Sequence, residues 1–217
     1  MKKNKKNIEI KSIVLLIVYF LWLLLLNLPI KNGIGTVEYL YSFLEALAFL
    51  VILFILYKND FYSDSKKINK RGISVIIKST LMILIIMLVS NIFSIELLKN
   101  NVVSSLNDNN ILSIKTGNLL QIINLFIFYP IIEEVIFRLN LRKIIKEDIF
   151  FMAFSTISLG VIYITFQGLS INAVISSIPY ILVNLYLSYI YVKNDNIYIN
   201  FITKILYNFI ILFLWSI

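Results

Sequence analysis

Three ionisable residues interrupt the apolar run "FYPIIEEVIFRLNLRKI" at 128–144: Glu133, Glu134 and Arg138. A charge in such a stretch is expensive unless it is paired, faces a polar cavity or takes part in chemistry. On a helix, Glu134 and Arg138 stand at i and i+4, so they share a face and can pair. Glu133 is rotated by about 100° from Glu134 and has no partner on its own helix. A carboxylate of that kind can act as a general base on a water molecule. A second polar set lies in "NFITKILYNFI" at 200–210, where Asn208 is one turn beyond Lys204 on the same face. Gln167 closes another apolar run and is a candidate for the same site. The constellation singled out is Glu133, Glu134, Arg138, Gln167, Lys204 and Asn208. Other charges have blander readings. Lys78 is close enough to a span end to snorkel, Glu38 and Glu96 sit near span ends, and Glu45 has no evident partner.

The elements that must carry these residues are bilayer spans. The chain has 217 residues of which 59% are hydrophobic, and its mean hydropathy is +0.88. The apolar runs are about twenty residues long and lack strict alternation, so helices are expected rather than a barrel. Seven spans are predicted, at about 12–30, 36–57, 73–95, 118–139, 149–167, 171–192 and 196–216. Residues 1–117 form an N-terminal part of three spans, and 118–217 a core of four. The expected fold class is an all-α polytopic membrane bundle.

The connecting loops alternate in charge. Lys2, Lys3, Lys5, Lys6 and Lys11 precede the first span, and the segment "KNDFYSDSKKINKRG" at 58–72 is strongly basic. Arg142, Lys143 and Lys146 follow the fourth span and Lys193 follows the sixth, whereas the intervening loops carry few cations. By the positive-inside rule the N-terminus is cytoplasmic. Segment 58–72 reads as a loop and 99–117 as a simple connection. The basic start before the first run is not a cleaved leader, since "NLPIKNGIG" lacks a small-x-small pattern and the run is long for one. Trp22 and Trp215 suit interfacial anchoring, although Trp22 is deep for that role. The heavy use of Ile, Lys and Asn points to an AT-rich bacterial genome and thus to the plasma membrane.

Composition removes several chemistries. There is no cysteine and no histidine, so thiolate redox chemistry, imidazole base catalysis and the commonest metal ligands are absent. No cofactor or metal is expected. The net charge of +8 serves topology and anionic lipid. No basic surface interleaved with aromatic platforms suggests nucleic acid. The expected partners are the lipid bilayer and a membrane protein or peptide.

The segment "EEVIFR" resembles the EExxxR signature of the CPBP family, intramembrane proteases that include the CAAX prenyl endopeptidases and bacteriocin-processing or immunity proteins. The resemblance covers about residues 115–217. It implies two further motifs, FxxxH on the next helix and HxxxN on the last. It also implies that the first Glu and first His activate water, while the second His and Asn stabilise an oxyanion or the His binds metal. "YITFQ" (Tyr163–Gln167) falls where FxxxH belongs, with Gln167 34 residues after Glu133; "KILYN" (Lys204–Asn208) falls where HxxxN belongs, 37 residues further on. Both histidine positions are therefore replaced, by Gln167 and Lys204.

These replacements change what the site can do. Gln167 can orient a water but cannot accept its proton. Lys204 can donate to an oxyanion but is expected to pair with Glu133 and blunt it as a base. The expected function is a non-catalytic family member that binds or scaffolds, or takes part in bacteriocin immunity or peptide processing. Two alternatives stand beside it: an active glutamate-dependent CAAX-type endopeptidase, and a small transporter subunit with Glu133–Lys204 as a gating pair. The span boundaries place Glu133 and Lys204 at similar depth and Gln167 near the far end of its helix. Either that helix starts later than drawn, or Gln167 stands outside the site.

Overall fold

The computed structural model describes residues 2–26, 36–98 and 119–216. Helices occupy each of the seven apolar runs: α1 (Lys2–Leu26), α2 (Thr36–Leu56), α4 (Lys70–Leu98), α5 (Leu119–Ile144), α6 (Asp148–Gln167), α7 (Ile171–Asn194) and α8 (Ile197–Ser216). No strand occurs among the described residues, and the fold is an all-α polytopic membrane bundle. Tyr39–Leu56 within α2, and α4 to α7, are long and apolar enough to cross a bilayer, and α8 carries a shorter apolar stretch, Ile197–Phe213. The end of the first predicted span (27–30), the connection after it (31–35), the segment 99–117 and the side chain of Trp215 lie outside the described residues.

Burial is inverted relative to a water-soluble protein. Leu81, Ile85, Leu88, Ile92 and Ile95 on α4 point outward, while Ser79, Thr80, Ser90 and Ser94 of the same helix are buried. In hydrocarbon the apolar face is the solvated one, and small polar residues let helices approach. On α6, a Cβ at Gly160 would stand 2.9 Å from Ile181 Cγ1, and Ser155 meets Ser188 Oγ at 3.2 Å. Small residues on this face of α6 thus let it pack closely against α7.

The central element is α5, in which Glu134 to Leu141 are buried without a break. It is not a uniform α-helix. Residues Asn124–Phe128 and Val135–Asn140 form π-helical turns. Pro130 follows the first of these. Its ring cannot donate a backbone hydrogen bond and crowds the preceding turn, which widens there. A second proline is compensated from outside. Pro179 lies inside α7 and leaves the Ile175 carbonyl without its usual helical donor. Ser94 Oγ on α4 donates to that carbonyl at 3.2 Å.

Residues 58–65, expected as loop, form a short helix, α3 (Lys58–Ser65). The segment is polar overall, but Phe61 and Asp64 are buried, and that contact with the bundle stabilises a helix which composition alone would not. Asp64 Oδ2 accepts the Ile197 N–H at 3.0 Å and the Asp64 carbonyl accepts Asn196 Nδ2 at 2.9 Å, so α3 holds the start of α8. The same end of the bundle carries the Lys143–Asp60 pair at 2.7 Å and the Lys67–Asp64 pair at 2.9 Å. Asn140 of α5 accepts from Tyr57 in the turn between α2 and α3 and donates to the Ser12 carbonyl of α1. The basic segments after α2, α5 and α7 thus gather at one end.

Candidate functional site

Adjacent positions on α5 send their carboxylates into different environments. Glu134 is fully buried. Its Oε1 accepts from Lys204 Nζ at 3.3 Å and lies 3.2 Å from Arg138 Nη1. Its Oε2 accepts from Asn200 Nδ2 at 3.1 Å. Arg138, also fully buried, donates through Nη2 to the Asn184 carbonyl at 3.0 Å and to Asn184 Oδ1 at 2.9 Å. The helix turn that places Arg138 beside Glu134 thereby ties α5 to α7.

Glu133 turns toward the edge of this cluster, and its side chain keeps 24% exposure. Its Oε2 accepts from Lys204 Nζ at 2.5 Å and from the Tyr180 hydroxyl at 3.4 Å. Lys204, only 7% exposed at its side chain, therefore bridges both glutamates. Two carboxylates and two cations cancel formally within one buried network, which is the condition for keeping four charges out of water.

The remaining predicted residues are less closely drawn in. Gln167 contacts the Tyr163 hydroxyl, the Tyr163 ring stacks on Tyr180 at 4.8 Å, and Tyr180 reaches Glu133. Gln167 makes no hydrogen bond to Glu133 or Lys204 among the described residues. Asn208 is half-buried one turn beyond Lys204 and likewise makes no hydrogen bond to the cluster there. Sequence reasoning missed Tyr180, Asn184 and Asn200. A signal for Asn200 existed: Asn196, Asn200, Lys204 and Asn208 recur at every fourth position in "NIYINFITKILYN", a polar stripe on one face of α8.

Glu133 also lines a cavity of about 380 Å³. Tyr19 and Trp22 of α1, Tyr129 of α5 and Phe166 of α6 form its aromatic walls, and Ser42 of α2 is a polar group opposite. Trp22 packs here, stacked on Phe49 at 4.7 Å. Glu133 is the one charged side chain on the cavity wall among the described residues. The site does not suit a metal. Among the described residues no three Asp or Glu side chains come together as ligands, and the ammonium of Lys204 stands against the carboxylate a metal would need.

A helical membrane bundle with a Glu-Glu-x-x-x-Arg segment at its centre, its second Glu and its Arg buried and its first Glu on a cavity wall, is the class of protein these features define. Residues 115–210 match the family model described as type II CAAX prenyl endopeptidase Rce1-like. That segment, a little under half of the chain, is similar to this CAAX-type membrane protease family, and it contains all six predicted site residues. No curated protein and no solved structure matches the chain.

Proposed function

We propose that this CAAX-protease-like membrane protein is non-catalytic and acts by binding a membrane partner or peptide at the cavity beside Glu133. The observation that carries the reading is Lys204 Nζ at 2.5 Å from Glu133 Oε2 and 3.3 Å from Glu134 Oε1. A general base needs a lone pair free for the water proton and no fixed cation stabilising its ionised form. Here an ammonium occupies Oε2, one of the two carboxylate oxygens, and is fixed beside the other, and Gln167 offers no second base within reach. A scaffolding role, or one in bacteriocin immunity or peptide processing, is compatible with a cavity that binds without turnover. Part of the cavity lies outside the family match, since Tyr19, Trp22 and Ser42 come from α1 and α2. We assign the N-terminal helices the role of shaping what the cavity accepts.

A specific feature favours a second reading, a Glu133-dependent endopeptidase: Glu133 still faces the cavity. The two separate in one assay. Purified protein is incubated with a fluorogenic prenylated CAAX-type peptide, in parallel with Glu133→Gln. The non-catalytic reading predicts no cleavage above the variant's background. Cleavage that disappears with Glu133→Gln would establish the peptidase instead.

A further inference from the structure

We propose that the cavity beside Glu133 takes a small uncharged amphiphile with one O–H or N–H donor, of which a short alkyl alcohol is the simplest case. The inference rests on the binding role argued above and names the ligand chemistry of that site. Three features of the wall carry it.

The first is charge. Glu133, the charged residue on the wall, belongs to a network that is already neutral, since Lys204 and Arg138 offset Glu133 and Glu134. An incoming cation would meet the Lys204 ammonium beside Glu133, and an incoming anion would meet the Glu133 carboxylate. Either would leave a net charge at membrane depth, where it is costly. An uncharged ligand leaves the balance as it stands.

The second is the atom left open. Glu133 Oε2 accepts from Lys204 Nζ at 2.5 Å and from the Tyr180 hydroxyl at 3.4 Å. Among the described residues no hydrogen bond reaches Oε1, although the side chain is part of the cavity wall. A carboxylate oxygen only accepts, so the group that fits there is a donor. Ser42, the polar group opposite, is already engaged, since its Oγ accepts from Asn124 Nδ2 at 2.9 Å.

The third is the remaining surface. Tyr19, Trp22, Leu23, Tyr129, Ile132 and Phe166 present rings and aliphatic groups that bury an alkyl or aryl body. At about 380 Å³ the cavity lies in the size range of small-molecule sites. The ligand's donor is placed on Glu133 Oε1 and its body against the rings, Trp22 among them.

Trp22 therefore reports on that body, since the chain has two tryptophans and Trp215→Phe leaves it alone. Bromine quenches indole emission on contact. The Trp215→Phe protein, in maltoside micelles, is titrated with 6-bromohexan-1-ol, its methyl ether 1-bromo-6-methoxyhexane, 6-bromohexanoate and 6-bromohexyltrimethylammonium. The expected result is saturable quenching by the alcohol. Its apparent Kd should be at least about tenfold below those of the ether and of both ions, a gap of about 1.4 kcal/mol. The ether isolates the hydrogen bond, because it is the more apolar molecule and unspecific partition into the micelle favours it over the alcohol. Glu133→Leu should bring alcohol and ether to the same response. An ether that quenches as well as the alcohol, a preferred ion, or an alcohol preference that survives Glu133→Leu would overturn the proposal. The order of the four probes on the protein with Glu133 intact decides even where Glu133→Leu does not fold. Absence of saturable quenching, together with no cleavage of the CAAX-type peptide, would remove the proposed ligand class and leave the non-catalytic reading intact.

Discussion

Lys204 is the residue on which the functional reading turns, because one ammonium neutralises two carboxylates in different settings. Glu134 has Arg138 and Asn200 as further partners, whereas Glu133 has, among the described residues, only Tyr180 besides. Removing Lys204 therefore leaves Glu133 as a charge without a cation. Lys204→Met should cost about 3–5 kcal/mol, the usual penalty for breaking a buried pair from one side, and is read from the unfolding midpoint in detergent. Arg138 supports a different expectation. It reaches Glu134 with one nitrogen and two acceptors of Asn184 with the other. A lysine has no such fork, so Arg138→Lys should destabilise by about 2 kcal/mol or more in the same measurement, despite conserving charge. A variant as stable as the parent would show that the fork is not needed.

At the level of the helix, two places show how this bundle tolerates residues that disturb regular backbone. The carbonyl freed by Pro179 is met by Ser94 from a neighbouring helix. Ser94→Ala should then cost about 1 kcal/mol, and pairing it with Pro179→Ala should recover most of that loss, as a thermal-stability cycle would reveal. Gly160 lets α6 approach α7 so closely that an added methyl meets Ile181. Gly160→Leu should destabilise by about 1–3 kcal/mol through overpacking. Elements differed in how far the sequence disclosed them. The long helices were legible because bilayer thickness imposes a length on apolar runs, and Glu134–Arg138 because four-residue spacing imposes a shared face. α3 was not, because its stability comes from burying Phe61 and Asp64 against the bundle, a contact made by distant residues. Tyr180 and Asn184 were hidden for a related reason. Neutral polar residues in an apolar helix can satisfy themselves on their own backbone, as Asn184 does in part on the Tyr180 carbonyl at 2.9 Å, and only the fold reveals their second partner. Gln167 had the right spacing, yet Tyr163 and Tyr180 lie between it and Glu133, which no spacing could disclose.

Across the whole molecule, the basic segments after α2, α5 and α7 meet at one end, and the α6–α7 turn, with exposed Leu169, lies at the other. The absence of native cysteine makes this directly testable. Single cysteines at Lys66, Lys146 and Asn194 should react with an impermeant maleimide from the same side of a sealed vesicle, and one at Leu169 from the opposite side; mixed sidedness among the first three would contradict the fold. The same architecture brings α5 and α8 together through four charges, and the central claim is that Glu133 and Lys204 act as a structural pair. The most direct measurement is a double-mutant cycle on thermal stability in detergent, with Glu133→Gln, Lys204→Met and both together. The account predicts that each single change destabilises and that the double variant recovers part of the loss, with a coupling of about 1–3 kcal/mol. Additive effects with no coupling would mean that Glu133 stands free of Lys204, and would contradict the account.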